Sequence, residues 1–382
     1  MKNILNCMGH EIRFPDIVSA KNCTLRDSRG MEYLDLESGV WCTSVGHANP
    51  RVAAVLAAQS KKIIHTGYCY LNPAVRDTSK KLLRITGIGD GQCVFLSSGS
   101  EAVEFSVKAA RNISKKPFIL TLKDSYLAAF GSAGAKSKEE WILLDWIKGD
   151  SAHGIPFDKV SAFVFEPGSS SGLVRFPPKE LIEGIVREVR ANGGIFIANE
   201  VTTGMGRTGE WFGYQHYGVI PDVVAVGKGL GNGYPVSAVA AARAVVESLA
   251  AADFHYGQSH QNDPLGAAVA GEVIDIIKDE DLLKKCGADG RTIMDGLNAI
   301  REKHGIIKEV RGRGLMIAVE FEKVAGKSWA DLVTAELLKK NIILVKRPGF
   351  EALRMDPALT IDHRDIEYFL TSMRSIVAAA AG

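Results

Sequence analysis

The sequence predicts an α/β protein: a large domain on a mainly parallel sheet with helices on both faces, and a smaller α/β domain built from the two ends of the chain. Three observations carry this prediction. Between Val94 and Lys228, short apolar runs rich in β-branched residues alternate with amphipathic stretches of helical period. Two of those runs, Ile195–Ala198 and Val223–Val226, end in polar residues, as buried parallel strands do where their C-terminal ends open onto a site. From about Asp281 the pattern shifts to helical stretches flanking a few strands, which marks a second unit. The boundaries follow: 1–50 for the N-terminal segment of the small domain, 51–280 for the large domain and 281–382 for the C-terminal small domain.

In chain order, Met31–Leu36 reads as a short strand after the Arg29-Gly30 turn. The segment Ser38–Pro50, SGVWCTSVGHANP, carries Trp41, either a pocket wall or an ordinary buried aromatic, and His47, which suits a loop-fixing hydrogen bonder. Helices are predicted from Asn49 to about Ser60 and over Pro73–Arg84. Val94–Glu104, VFLSSGSEAVE, is a strand that turns at Ser98-Gly99-Ser100 into a helix with Val103, Val107, Ala110 and Ile113 on one face. A helix start made of small residues offers free N–H groups and a positive dipole end to a phosphate. By itself the motif reads as an ordinary N-cap. Phe118–Leu122 and Val160–Phe165 are further buried strands. Lys179–Ala191 is a helix, with Pro178 suited to its first turn, Gly193 to its end, and a stripe of Leu181, Ile182, Ile185, Val186 and Val189. Beyond Lys228 a glycine-rich return, GLGNGYPVSAVAA, leads into another strand. The C-terminal part gives strands at Gly314–Glu322, Asn341–Val345 and Ala352–Met355 and a last helix after Asp362.

Lys228 leaves its strand between Gly227 and Gly229. That setting suits an imine-forming amine, because burial and a nearby cation lower an amine's pKa and free its lone pair. The string NEVTTGMGRTG from Asn199, followed by DVVAVGK ending at Lys228, resembles the class-III (subgroup II) aminotransferases. These are fold-type-I enzymes that use pyridoxal 5′-phosphate (PLP), with the signature D-E-V-Q-T-G-x-G-R-T-G and then D-x-x-x-x-G-K. The resemblance runs from about Asp35 to Ile361.

The resemblance implies a PLP-binding large domain with Lys228 as the internal aldimine lysine and the base that moves the substrate proton. It implies that Gly99 and Ser100 hold the PLP phosphate with Ser98 behind them, that Tyr126 stacks on the ring and that Val201 borders it. Glu166 is implied to sit near the cofactor's hydroxyl side, or else to be a loop carboxylate; Arg207 and Glu200 fix their loop. In GQSHQNDP, Ser259 stands where the family's threonine reaches the partner subunit's phosphate, which implies a homodimer with shared active sites. Arg354, in LRMDPALTI, is implied to clamp a substrate carboxylate, with a structural arginine as the other reading.

The chain departs from the family at several of these places. Asn199 replaces the acid at the ring nitrogen and Leu127-Ala128 replaces a His-Gly pair; Ala129 stands where some relatives carry an arginine for a distal carboxylate, and Ser171 where several that act on ω-amino acids carry a gating glutamate. Close mimicry of acetylornithine or 4-aminobutyrate enzymes is therefore not expected. The implied activity is amino transfer between an amine or amino acid and a 2-oxo acid, with Asn199 expected to slow it. A PLP-dependent racemase, epimerase or lyase of the same fold, or a weakly active PLP-binding variant, stays open at this stage, and the donor is not named by the sequence.

Composition adds bounds. The 382 residues suit two or three domains, with 46% apolar and 24% charged residues in an ordinary globular balance. A net charge of +2 implies no nucleic-acid partner. Cysteines at 7, 23, 42, 69, 93 and 286 form no C-x-x-C pair, so no zinc motif is expected; reduced, mostly buried thiols fit a cytoplasmic protein. No apolar run is long enough for a membrane span, and the first residues lack a secretory h-region.

Overall fold

The computed structural model describes residues 3, 14, 16–67, 69–150, 152–170, 172–347 and 349–381. Cys7 and Ser171 lie outside the described residues. The central sheet has seven strands in the order Gln92–Leu96, Ser237–Ala241, Val223–Val226, Ile195–Glu200, Val160–Phe165, Phe118–Leu122 and Trp141–Leu144. Six run the same way; Ser237–Ala241 is antiparallel to both of its neighbours. The runs lack polar alternation because both faces are covered. Val223 and Ala225 join Val103 and Val107 of the helix Gly99–Ser114 on one face. Val224 and Val226 join Val273 and Ile277 of the helix Pro264–Asp279 on the other. Phe163, Phe165 and Phe196 pack on Ile182, Ile185 and Val189 of the helix Lys179–Ala191. Each such side chain, fully buried, is worth about 1.5–3 kcal/mol relative to exposure.

The two ends of the chain share a second sheet. Strands Ile17–Lys21, Thr24–Asp27 and Glu32–Asp35 are joined by Ile342–Ile343, parallel to the last of them. A third, antiparallel sheet holds Ile307–Arg313, Met316–Phe321, Ala352–Met355 and Val345–Lys346. The single strand expected over Asn341–Val345 is thus split at Leu344 between two sheets.

Parallel strands all deliver their C-terminal ends to one edge, where crossover loops leave space for a ligand. Glu166, the Asn199–Glu200 pair and Gly227–Lys228 arrive there, and the helix Gly99–Ser114 begins there. Among the described residues all five cysteines are unpaired; Cys23 and Cys286 are buried, Cys42 and Cys93 half-buried and Cys69 exposed, so fewer thiols are buried than the sequence led us to expect. No helix among the described residues is long and apolar enough to cross a membrane.

Candidate active site

Ser98, Gly99, Ser100, Tyr126, Asn199, Val201 and Lys228 line one cavity, with Leu127 and Thr202 completing the wall. Ser98 takes extended backbone angles, and its hydroxyl accepts the Glu101 N–H at 3.2 Å, which caps the helix. Gly99 and Ser100 then form the first turn, with the dipole's positive end toward the cavity. The Ser100 hydroxyl accepts the Ala129 N–H at 2.9 Å and ties the helix start to the Tyr126 loop. Gly99 has no alternative here, since a Cβ at this position would lie 2.4 Å from Val201 Cγ1.

Asn199 is 2% exposed, and two backbone partners fix its amide. Its Oδ1 accepts the Val201 N–H at 3.3 Å, and its Nδ2 donates to the Tyr126 carbonyl at 3.3 Å. The partners are of opposite sense, so the amide has one orientation and keeps one N–H to spare. Below Tyr126 lies Glu166, which accepts the Tyr126 N–H at 2.9 Å and the Ser170 hydroxyl. Burial pushes its carboxyl up to about 7, against the pull of those hydrogen bonds.

Lys228 sits in the left-handed region at φ 42°, a strained conformation for a residue with a Cβ. Its Nζ donates to Thr202 Oγ1 at 3.4 Å and lies 5.4 Å from the centre of the Trp41 ring. Burial holds its pKa below the ordinary lysine value; Cys42 and Glu166 oppose the shift and Arg354 adds to it. A depressed pKa is what a nucleophilic or basic amine needs at neutral pH. A phosphate-ready helix start, a buried hydrogen-bond donor and a desolvated amine therefore meet in one cavity, and this set fits PLP.

Other nominated residues lie outside the cavity. Trp41 is buried beside it, and Arg354 stacks on Trp41 with its Cζ 3.6 Å from the ring centre. Arg354 is fully buried in a bidentate pair with Asp356, at 2.7 and 3.0 Å. Ser259 is exposed and does not line its own chain's cavity. Glu200, pushed up to about 7 by burial, accepts the N–H groups of Gly213 and Tyr214 and the Thr203 hydroxyl. Arg207 is buried and donates to the carbonyls of Pro357 and Leu315, which joins the loop to the C-terminal segment. His47 bonds Asp35 at 2.9 Å. Thr202 and Asp356 were not nominated from sequence. Thr202 sits inside the NEVTTG string, and Asp356 stands two residues beyond Arg354, just past the end of its strand, so both had a signal.

The pattern of the family Aminotransferase class-III matches residues 8–135 and 154–377. The chain belongs to the class-III aminotransferases. Among curated relatives, the succinylornithine transaminase of Citrobacter koseri is 30% identical over 91% of this chain and 89% of its own. The acetylornithine aminotransferase of Caldanaerobacter subterraneus is 27% identical over 95% and 94%. Of solved structures, an S-selective transaminase from Arthrobacter sp. superposes with a TM-score of 0.91 over 100% of this chain and 96% of its own, at 20% identity, which speaks for the fold alone. The ornithine aminotransferase from Toxoplasma gondii, described with partial occupancy of PLP at its active site, gives 0.87 at 25% identity over 98% and 92%. This class-III aminotransferase has the fold-type-I architecture and uses PLP to move an amino group between an amino donor and a 2-oxo acid. The family match supports that activity over the racemase, epimerase, lyase and weak-binding alternatives.

Proposed function

We propose that Lys228 carries the cofactor and moves the proton during amino transfer, in a site completed across a homodimer. The observation that carries this reading is the meeting of Lys228, Asn199 and the open start of the helix Gly99–Ser114 on one cavity. Bound there, PLP supplies the electron sink that makes the substrate's Cα–H acidic. Ser98, Gly99 and Ser100 would hold the phosphate through helix-start N–H groups and hydroxyls. Tyr126, half-exposed at the rim, covers one face of the ring. Val201 closes the other side, and Glu166 braces the Tyr126 loop from below. With its amide oriented by Tyr126 and Val201, Asn199 has one N–H that could be offered to the ring nitrogen, which would favour a neutral nitrogen where an aspartate would favour a protonated one. With burial holding its pKa down, Lys228 would keep a free lone pair and would serve as the base that takes the proton from the substrate carbon.

Ser259, exposed on its own chain, reaches the partner's phosphate in this reading. The shared sheet of N- and C-terminal strands supports one small domain made of 1–50 and 281–382 around the large domain 51–280. The unpaired cysteines support a cytoplasmic setting. Ala129 brings no cation to a distal carboxylate, which supports a donor other than an N-acylated ornithine. The test incubates the protein with PLP, a panel of amines and amino acids, and pyruvate or 2-oxoglutarate. New amino acid and matching keto product are expected; a single amino acid that changes only its chirality would overturn the reading.

A further inference from the structure

A 2-oxo acid always brings a carboxylate, so the site needs a cation to receive it. Arg354, where the resemblance puts that cation, is committed elsewhere. Its Nε and Nη2 are held by Asp356 at 2.7 and 3.0 Å, and its Nη1 donates to the Ser170 carbonyl at 3.0 Å. Arg354 and Asp356 are both fully buried. The chain's own carboxylate fills the fork that a substrate would need.

A second arginine flanks the same indole. The Arg347 guanidinium lies 4.9 Å from the centre of the Trp41 ring, on which Arg354 also stacks and beside which Lys228 sits. Arg347 donates to Glu37 at 2.9 Å. Its stem packs so closely on Gly172 that a Cβ there would come within 2.8 Å of Arg347 Cβ. Two buried donors in this cluster have no acceptor among the described residues: Arg347 Nε and the indole N–H of Trp41. A buried donor without a partner carries a desolvation cost that an incoming acceptor removes. Two of them on stacked side chains, one of them charged and the other on the indole whose ring centre lies 5.4 Å from the Lys228 amine, make a place for an anion.

We infer that Arg347 and the indole N–H of Trp41 receive the substrate's carboxylate, in place of Arg354. The inference rests on the reading of Lys228 as the reactive amine. Arg354 is then a positioning residue: locked by Asp356, it stacks on Trp41 and holds the indole in place. Glu37 holds Arg347 until a carboxylate arrives and competes with it.

The test loads the protein with PLP and compares L-alanine with ethylamine and L-ornithine with putrescine, pairs that differ only in the α-carboxylate. The cofactor's visible band reports each half-reaction. In Arg347→Gln the preference in kcat/KM for the amino acids over their amines should fall by about tenfold or more, the worth of one charge-assisted hydrogen bond. Trp41→Phe should lower it less, and Arg347→Lys should restore part of it. An unchanged preference in Arg347→Gln overturns the inference. Calorimetric titration with pyruvate gives the answer without turnover: weaker binding in Arg347→Gln and tighter binding in Glu37→Gln support it, and equal affinity in all three proteins overturns it. If none of the four donors changes the wild-type spectrum, the pyruvate titration decides the carboxylate subsite, and a borohydride label on a lysine other than Lys228 is the result that overturns the reading on which the inference rests.

Discussion

Replacing Asn199 by aspartate keeps the shape of the side chain and exchanges an amide NH2 for a carboxylate oxygen. In the protein without cofactor this is unfavourable. The amide nitrogen donates to the Tyr126 carbonyl at 3.3 Å from a position 2% exposed. The substitution removes that donor and faces two oxygens toward each other, at a cost of about 1–3 kcal/mol. With PLP bound, the new charge pairs with a protonated ring nitrogen and the cost is recovered. PLP should therefore stabilise Asn199→Asp more than the wild type, by about 1–3 kcal/mol, or roughly five- to hundredfold in PLP affinity. The charge also deepens the electron sink. Each 1.36 kcal/mol gained where charge develops on the substrate speeds the step about tenfold, so a gain of at least about tenfold is expected in the half-reaction with an amino donor. Denaturant titrations with and without PLP read the first effect, and stopped-flow spectra with one donor read the second. An Asn199→Asp protein whose half-reaction is unchanged or slower refutes the reasoning.

Three further outcomes follow from the same site. Gly99→Ala drives a Cβ to within 2.4 Å of Val201 Cγ1 and shifts the helix start, which should cost about 1–3 kcal/mol and weaken PLP binding by about tenfold or more, read by fluorescence titration. Glu200, raised to about 7 by burial, adds stability that is fully present below its unfolded pKa of about 4.5 and is lost as pH rises through about 7. Between about pH 4.5 and about pH 8 the wild type should lose about 3 kcal/mol that Glu200→Gln does not, and denaturation midpoints across that range compare the two slopes. Ser259→Ala should weaken PLP retention by about 1.5–3 kcal/mol in dialysis, whereas a monomer that holds PLP tightly would contradict a shared site.

The sheet was legible where burial on both faces left an unbroken apolar run, so Phe118–Leu122, Val160–Phe165 and Val223–Val226 have the ends read from sequence. Lys179–Ala191 was legible from its stripe and its flanking Pro178 and Gly193. Strand direction was not, because pairing is a property of distant segments; Ser237–Ala241 reads like its parallel neighbours yet runs against them. The edge strand Trp141–Leu144 escaped because four residues between charged flanks carry too little pattern. The split at Leu344 escaped for the same reason, since Ile342–Ile343 and Val345–Lys346 differ only in where they pair. The cavity wall was legible in the strings around Ser98, Asn199 and Lys228. The commitment of Arg354 to Asp356 depends on burial that spacing alone does not give.

The central claim is that Lys228 is the amine that carries the cofactor. Borohydride reduction of the PLP-loaded protein, followed by peptide mapping, tests it most directly. The pyridoxyl group should appear on the peptide holding Lys228, and Lys228→Ala should take no label. A label on any other lysine, or equal labelling of Lys228→Ala, would contradict the account.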